Sequence, residues 1–222
     1  PGTTVFYGAM ATIIDPRRGA YTYGNPELAL MNVAFKQLAE YYHIPFYGTG
    51  GTIDSPVPDA QAAYETTASN LIGAMAGVDI IHDGVYGILE SAKTACYEQL
   101  IISHEVVSMV RRILSGLEVT DETLAFDLIK KVGPGRSFLE VYDAVRFLRA
   151  VMFKEYWLPE LAIRLSNRGD WEKEGAKEIV QRAREKADRI LREHTPDPPL
   201  DPEVVVELKG VVDESLRSVA KS

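Results

Sequence analysis

Three short apolar runs, Thr4–Met10, Ile44–Gly50 and Val78–Asp83, are rich in β-branched or aromatic residues and end in glycine or polar residues. Such runs predict buried strands. Between them, apolar positions recur at helical spacing. Pro26 opens one stretch that reaches about Tyr42, with Leu28, Leu30, Met31, Phe35, Leu38 and Ala39 as its stripe. Pro58 and Asp59 open a second, to about Ala76, carrying Ala62, Ala63, Leu71, Ile72 and Met75. Strands apolar on both faces in a β-α-β-α-β order predict an α/β fold with a parallel sheet. A repeat of roughly 35–40 residues per unit suits a TIM barrel with decorated loops. It suits an open doubly wound sheet equally well.

Beyond residue 90 the pattern turns helical. Tyr97–Leu117 carries an apolar stripe at Leu100, Ile101, Val106, Val107, Val110, Ile113 and Leu114. Asp121–Val132 follows, with Thr120 as N-cap and Gly133 as stop. Phe138–Trp157 is mostly apolar, and Trp171–His194 reads as one solvated helix with salt-bridged faces. Pro196, Pro198, Pro199 and Pro202 predict a stiff linker before a last helix from about Glu203. Three strands cannot close an eight-stranded barrel. The expected organisation is therefore the carboxyl-terminal part of a barrel over residues 1–137 and a helical extension over 138–222. That extension packs on the barrel, or its Phe147, Met152, Phe153, Tyr156 and Trp157 form an oligomer contact. The opening at Pro1, almost at once in a strand and without a charged or long apolar leader, reads as a cut inside a longer protein.

Composition narrows the classes. In 222 residues, 46% hydrophobic and 25% charged is the balance of a folded chain and not of a disordered one. No apolar run approaches the roughly 20 residues that a membrane span needs. One cysteine, Cys96, excludes an internal disulfide and a cysteine-based zinc cluster, and favours a reducing cytoplasm. The net charge is −8, unfavourable for nucleic acid. Residues 1–110 hold four basic and eleven acidic residues, so this half favours a cationic ligand, or simply has an acidic surface.

Ligands of parallel α/β sheets sit at the carboxyl ends of the strands. Here those ends are Tyr7-Gly8-Ala9-Met10, Tyr47-Gly48-Thr49-Gly50-Gly51 and His82-Asp83-Gly84-Val85-Tyr86-Gly87. Each pairs tyrosine with glycine. Tyr7, Tyr47 and Tyr86, with Tyr97 just beyond, can form an aromatic wall for a quaternary ammonium, or can be packing residues. His82 can orient a carboxylate or serve as acid or base, and Asp83 or Glu98 can supply negative charge. His104 within a helix, His43 at a helix end and His194 in the tail read as structural or exposed. Metal ligation is weakly supported: Cys96 and His104 stand at a spacing wrong for one helix face. No P-loop lysine follows Gly48-Thr49-Gly50-Gly51, and no Gly-x-Ser-x-Gly is present.

Several ordered stretches carry a more specific signal. Val5-Phe6-Tyr7-Gly8, Asp15 through Gly19, Tyr23-Gly24-Asn25-Pro26-Glu27, Gly50-Gly51-Thr52 with Asp54, and Pro58-Asp59-Ala60-Gln61-Ala62 come first. Tyr97-Glu98-Gln99-Leu100, Val132-Gly133-Pro134-Gly135 and Trp171 to Ala176 continue them. Together they resemble the trimethylamine methyltransferase family. The resemblance implies a TIM barrel more than twice this length, of which this chain is the carboxyl-terminal part. It implies transfer of a methyl group from an amine to the Co(I) of a separate corrinoid protein, within one-carbon metabolism such as methanogenesis. The cobalamin is carried by that partner and not bound here. Trimethylamine enzymes of the family use pyrrolysine, which this chain lacks; Pro56 stands in the stretch Asp54-Ser55-Pro56 where it is expected. The resemblance then implies a quaternary amine such as glycine betaine as substrate. On this reading Tyr7, Tyr47, Tyr86 and Tyr97 line a cation site, Asp83 or Glu98 supplies charge and His82 orients the substrate. The alternatives are a trimethylamine enzyme whose pyrrolysine lies outside this chain, a betaine-binding relative without methyl transfer, and an assembly module. A homo-oligomer is expected, with neither a nucleic-acid nor a membrane partner.

Overall fold

A computed structural model describes residues 3–164, 167–195 and 200–219. The first expected strand forms as β1 (Tyr7–Gly8), and a small hairpin follows, β2 (Ile14–Asp15) with β3 (Ala20–Tyr21). Helix α1 (Pro26–Tyr41) leads to β4 (Phe46–Thr49), α2 (Ala60–Met75) and β5 (Ile80–His82). A second hairpin, β6 (Ile88–Leu89) with β7 (Thr94–Ala95), precedes α3 (Tyr97–Leu114). The remainder is helical: α4 (Asp121–Leu124), α5 (Phe126–Val132), a 3-10 turn (Phe138–Glu140), α6 (Tyr142–Glu155), α7 (Arg168–Lys173), α8 (Ile179–Glu193) and α9 (Pro202–Val219). The chain divides into two compact units, Pro1–Ala187 and Asp188–Ser222.

β1, β4 and β5 form one parallel sheet in that order. Tyr7 pairs with Phe46, and Tyr47 with both Gly8 and Ile80, while Thr49 faces His82. Because side chains alternate along a strand, Tyr7, Phe46, Gly48 and Ile81 share one face and Tyr47, Ile80 and His82 the other. The first face is covered by helix. Phe46 is fully buried, and the Tyr7 ring lies 6.0 Å from Phe35 of α1 and 5.7 Å from Phe46. Gly48 leaves room for this packing: a Cβ there would meet the Phe46 ring at 2.8 Å.

The helices start where the sequence places caps. Asn25 Oδ1 accepts from the Leu28 amide at 2.9 Å with Pro26 next in line, and Asp59 Oδ1 accepts from the Ala62 amide at 3.0 Å. Thr120 closes a reciprocal capping box with Thr123. Three expected continuous helices are interrupted. Ala125, at φ 51°, separates α4 from α5. Gly175 and Ala176, at φ 95° and 52°, end α7 before α8 begins. The apolar stretch from Phe138 enters α6 through its 3-10 turn. A left-handed residue cannot continue a right-handed helix, so each such break turns the chain. Of the expected proline linker, Pro196, Pro198 and Pro199 lie outside the described residues, whereas Pro202 opens α9.

The apolar residues after α5 divide. Trp157 turns inward and its Nε1 donates to Ser108 Oγ of α3 at 2.5 Å, while Phe153 and Tyr156 remain exposed. One carboxylate attaches the segment after α6 to α3. Buried Glu105 accepts backbone N–H bonds from Glu160, Leu161 and Ala162 at 2.7, 2.6 and 2.6 Å. Beside it Ile102, Leu161 and Ala183 form a small apolar cluster that joins α3 to α8. An amide cannot satisfy three converging donors with one oxygen. Glu105→Gln is expected to destabilise the protein by about 2–3 kcal/mol, measured by urea unfolding.

Candidate functional site

At the carboxyl end of the sheet, α2 and α3 hold the loops by their backbones. Ser69 Oγ accepts from the Gly51 amide at 2.9 Å, and Asn70 Nδ2 donates to the Gly84 carbonyl at 3.0 Å. Ser103 Oγ of α3 donates to the Tyr86 carbonyl at 2.7 Å and accepts from Gln99 Nε2 at 3.1 Å. Gly51 is required where the loops meet. Its φ is +70°, and a Cβ there would stand 2.2 Å from the Asp83 carbonyl oxygen.

On the face away from the helices, the Tyr47 and His82 rings lie 5.2 Å apart, tilted by 38°. His82 Nδ1 is 2.7 Å from Asp83 Oδ2. Asp83 is a left-handed residue at φ 63°, a conformation that asparagine and aspartate tolerate better than most residues. Burial raises the Asp83 carboxyl above the usual carboxylate range, and neighbouring His82 opposes the shift. Burial also raises the Tyr86 phenol, reinforced by the nearby Asp83 and Tyr23. Tyr47 and Asp83 therefore flank His82, and Tyr86 follows in the same strand-end loop.

The other expected residues make different contacts. Tyr7 is on the helix-covered face and packs against Phe35 and Phe46. Tyr97, the first residue of α3, is 62% exposed. Glu98 accepts from Arg184 Nε of α8 at 2.7 Å and is 3.4 Å from Cys96 Sγ. The Arg184 bond is the main cause that lowers its carboxyl pKa.

Sequence reasoning missed the clamp that joins the three strand-end loops. Asp54 Oδ1 accepts from the Tyr23 amide at 2.7 Å and from Ser91 Oγ at 2.6 Å, and Oδ2 accepts from the Gly24 amide at 2.9 Å. Thr52 Oγ1 donates to the Tyr23 carbonyl at 2.7 Å. Behind it, buried Glu65 accepts from the Asp54 and Ser55 amides at 2.7 and 3.2 Å and from Gln61 Nε2 at 2.8 Å. Gly24 lies so close that a Cβ would meet the Glu65 carboxyl carbon at 2.4 Å. The β6–β7 turn carries three successive left-handed residues, Glu90, Ser91 and Ala92. Its Glu90 and Ser91 amides donate to the Ser55 and Ile53 carbonyls at 3.0 and 2.9 Å. The Gly50-Gly51-Thr52 run with Asp54 is the sequence signal for this clamp.

The β2–β3 turn is closed by Asp15, which accepts from the Arg17 amide at 2.8 Å and from its Nε and Nη2 at 3.1 and 2.8 Å. These bonds hold the Asp15 pKa at about 2 against an ordinary 3.8. The turn's stabilisation is therefore present above the ordinary value and lost as pH falls through the folded one. An NMR titration is expected to find Asp15 at about 2 and, in Arg17→Ala, raised part of the way toward the ordinary value, because the amide of residue 17 still donates to it. Among the described residues no group of three or more His, Cys, Asp or Glu is placed to hold a metal ion. None of the described helices is long and apolar enough to cross a membrane.

Parallel strands, glycine-bent loops and an aromatic pair beside a half-buried carboxylate define an α/β protein with a candidate site at its strand ends. The chain belongs to the trimethylamine methyltransferase (MTTB) family, whose model matches residues 1–219. It is 35% identical over 214 residues to the trimethylamine methyltransferase MttB of Desulfitobacterium hafniense (strain DSM 10664 / DCB-2), which covers 96% of this chain and 41% of that protein. MttB2 of Methanosarcina mazei is 35% identical over 98% of this chain and 42% of its own length. A glycine betaine methyltransferase of D. hafniense (strain Y51) is 34% identical over 100% of this chain and 44% of its own. The chain thus spans about two fifths of the length of these relatives.

Proposed function

We propose that this chain is the carboxyl-terminal part of a TIM-barrel methyltransferase that moves a methyl group from a quaternary amine of the glycine betaine type to the Co(I) of a separate corrinoid protein. One observation carries the substrate reading: the Tyr47–His82 ring pair, 5.2 Å between centroids, stands beside the Asp83 carboxylate at the ends of parallel strands. Ring faces and a carboxylate attract a cation that cannot donate a hydrogen bond. Tyr86 extends the wall, and His82 orients a betaine carboxylate.

A quaternary ammonium needs no further activation. Its C–N bond breaks with both electrons on nitrogen, leaving a neutral tertiary amine, while Co(I) supplies the electron pair for the new bond to the methyl carbon. The protein's part is to hold the methyl group in line and exclude water. A reducing cytoplasm suits such an acceptor. The similarity to enzymes named for trimethylamine favours a second reading, in which a tertiary amine is the donor.

The test uses the full-length protein with a Co(I) corrinoid protein, following the corrinoid spectrum as trimethylamine, glycine betaine, carnitine and proline betaine are added in turn. Methylation with a quaternary amine alone is expected. Methylation with trimethylamine alone selects the second reading, and binding of a betaine without methylation removes the enzyme assignment.

A further inference from the structure

Residues 1–110 contain only four basic side chains, Arg17, Arg18, Lys36 and Lys93. Lys36 is neutralised in place, with Nζ 2.9 Å from Asp79 Oδ2. The other three belong to the two hairpin turns at the carboxyl end of the sheet: Arg17 and Arg18 on β2–β3, Lys93 on β6–β7. All three are exposed, the Arg17 side chain to 85%. The carboxylates of the same rim are recessed: Asp83 and Asp15 side chains are 15% and 17% exposed, and Glu65 is buried. Glu90 is the exposed acid on these turns, and its carboxylate accepts from Thr94 Oγ1. Among the described residues neither Arg18 nor Lys93 has an ion-pair partner. Arg17 is paired with Asp15, Nη2 to Oδ2 at 2.8 Å, so the rim is bipolar through Arg18 and Lys93, with negative charge at depth and their positive charge at its tips.

The tips are also held in place. Ser91 Oγ bonds Asp54, and the Glu90 and Ser91 amides bond the loop after β4. An open cleft of about 750 Å³ separates the turns, bordered by Arg17, Arg18, Tyr21, Asp54 and Ser91. Turns fixed in this way lose little backbone entropy on docking.

We propose that Arg18 and Lys93, with Arg17 beside them, form the docking surface for an acidic face of the protein that carries the methyl acceptor. This rests on the proposed corrinoid-dependent reaction, because the acceptor must approach the strand-end site over this rim. Opposite signs at two depths separate two tasks: the recessed carboxylates draw in the cationic amine, and the tips steer the partner.

The experiment uses the full-length protein with two acceptors, a corrinoid protein charged with cob(I)alamin and free cob(I)alamin, which offers no protein surface. In Arg18→Glu/Lys93→Glu, the KM for the corrinoid protein is expected to rise by about tenfold at low ionic strength. The KM for the amine, the kcat at saturating acceptor and the rate with free cob(I)alamin stay within about twofold of wild type, since steering acts on encounter. The wild-type KM for the corrinoid protein is expected to rise between about 50 and about 300 mM salt, and that of the double variant to respond less. An unchanged KM for the corrinoid protein overturns the proposal. So does an equal loss with free cob(I)alamin, which would assign these side chains to the corrinoid itself. If the wild type methylates neither acceptor, the reaction fails and the docking surface with it.

Discussion

Gly51→Ala is expected to disable the site and destabilise the protein together. A left-handed alanine costs about 1–2 kcal/mol. Here the new methyl group would also stand 2.2 Å from the Asp83 carbonyl oxygen and 2.8 Å from that of Gly84. Neither oxygen is at the end of a flexible side chain, so the β4 and β5 loops must separate. Tyr47 and His82, one on each strand, separate with them. The expected loss is about 3 kcal/mol or more in stability, and about a hundredfold in methyl transfer for a displacement near 1 Å. Gly116→Ala is the control: its φ is +64° but a Cβ there meets nothing within 4 Å, so only the conformational cost remains. Melting temperatures of the two variants and their transfer rates measure the difference. Equal, mild effects would mean that the loops relax around the clash.

The second large effect divides the tyrosines. Tyr47→Ala and Tyr86→Ala are each expected to raise the KM for the quaternary amine by about tenfold, the scale of one desolvated cation–aromatic contact, and His82→Ala by about as much through loss of a hydrogen bond to the betaine carboxylate. Tyr7→Ala should instead lower the melting temperature with little change in that KM, because its ring supports Phe35 and Phe46. Tyr97→Ala, exposed at the start of α3, should change neither. Unchanged turnover in both His82→Ala and Tyr86→Ala would place the cation elsewhere.

These four tyrosines show what one sequence can and cannot reveal. Each strand end was legible, because apolar runs bounded by glycine have a strong local signal, and all three strands form in parallel. Which face a tyrosine occupies depends on register. Tyr7 pairs with Phe46 and not with Tyr47, and no pattern within one strand encodes that offset. The hairpins went unseen because strands of two residues are too short for a period to register. Gly175 offered a signal for the break before α8, whereas Ala125 offered none, since alanine ordinarily favours helix. The bond between Glu98 and Arg184, 86 positions away, has no local signal in the sequence. The Asp54 clamp combines a visible motif with two backbone amides and a serine from distant loops, and only the fold brings those together.

Helix α2 holds the rim through main-chain groups: Glu65 binds the amides of Asp54 and Ser55, Ser69 that of Gly51, and Asn70 the carbonyl of Gly84. What it recognises is a path, indifferent to most of the side chains strung along that path, position 51 apart, where glycine is required. Scaffold and specificity are thereby uncoupled. A redesign toward another amine can begin at Pro56, Val57 and Val85, which face solvent, while positions 65, 69 and 70 stay fixed.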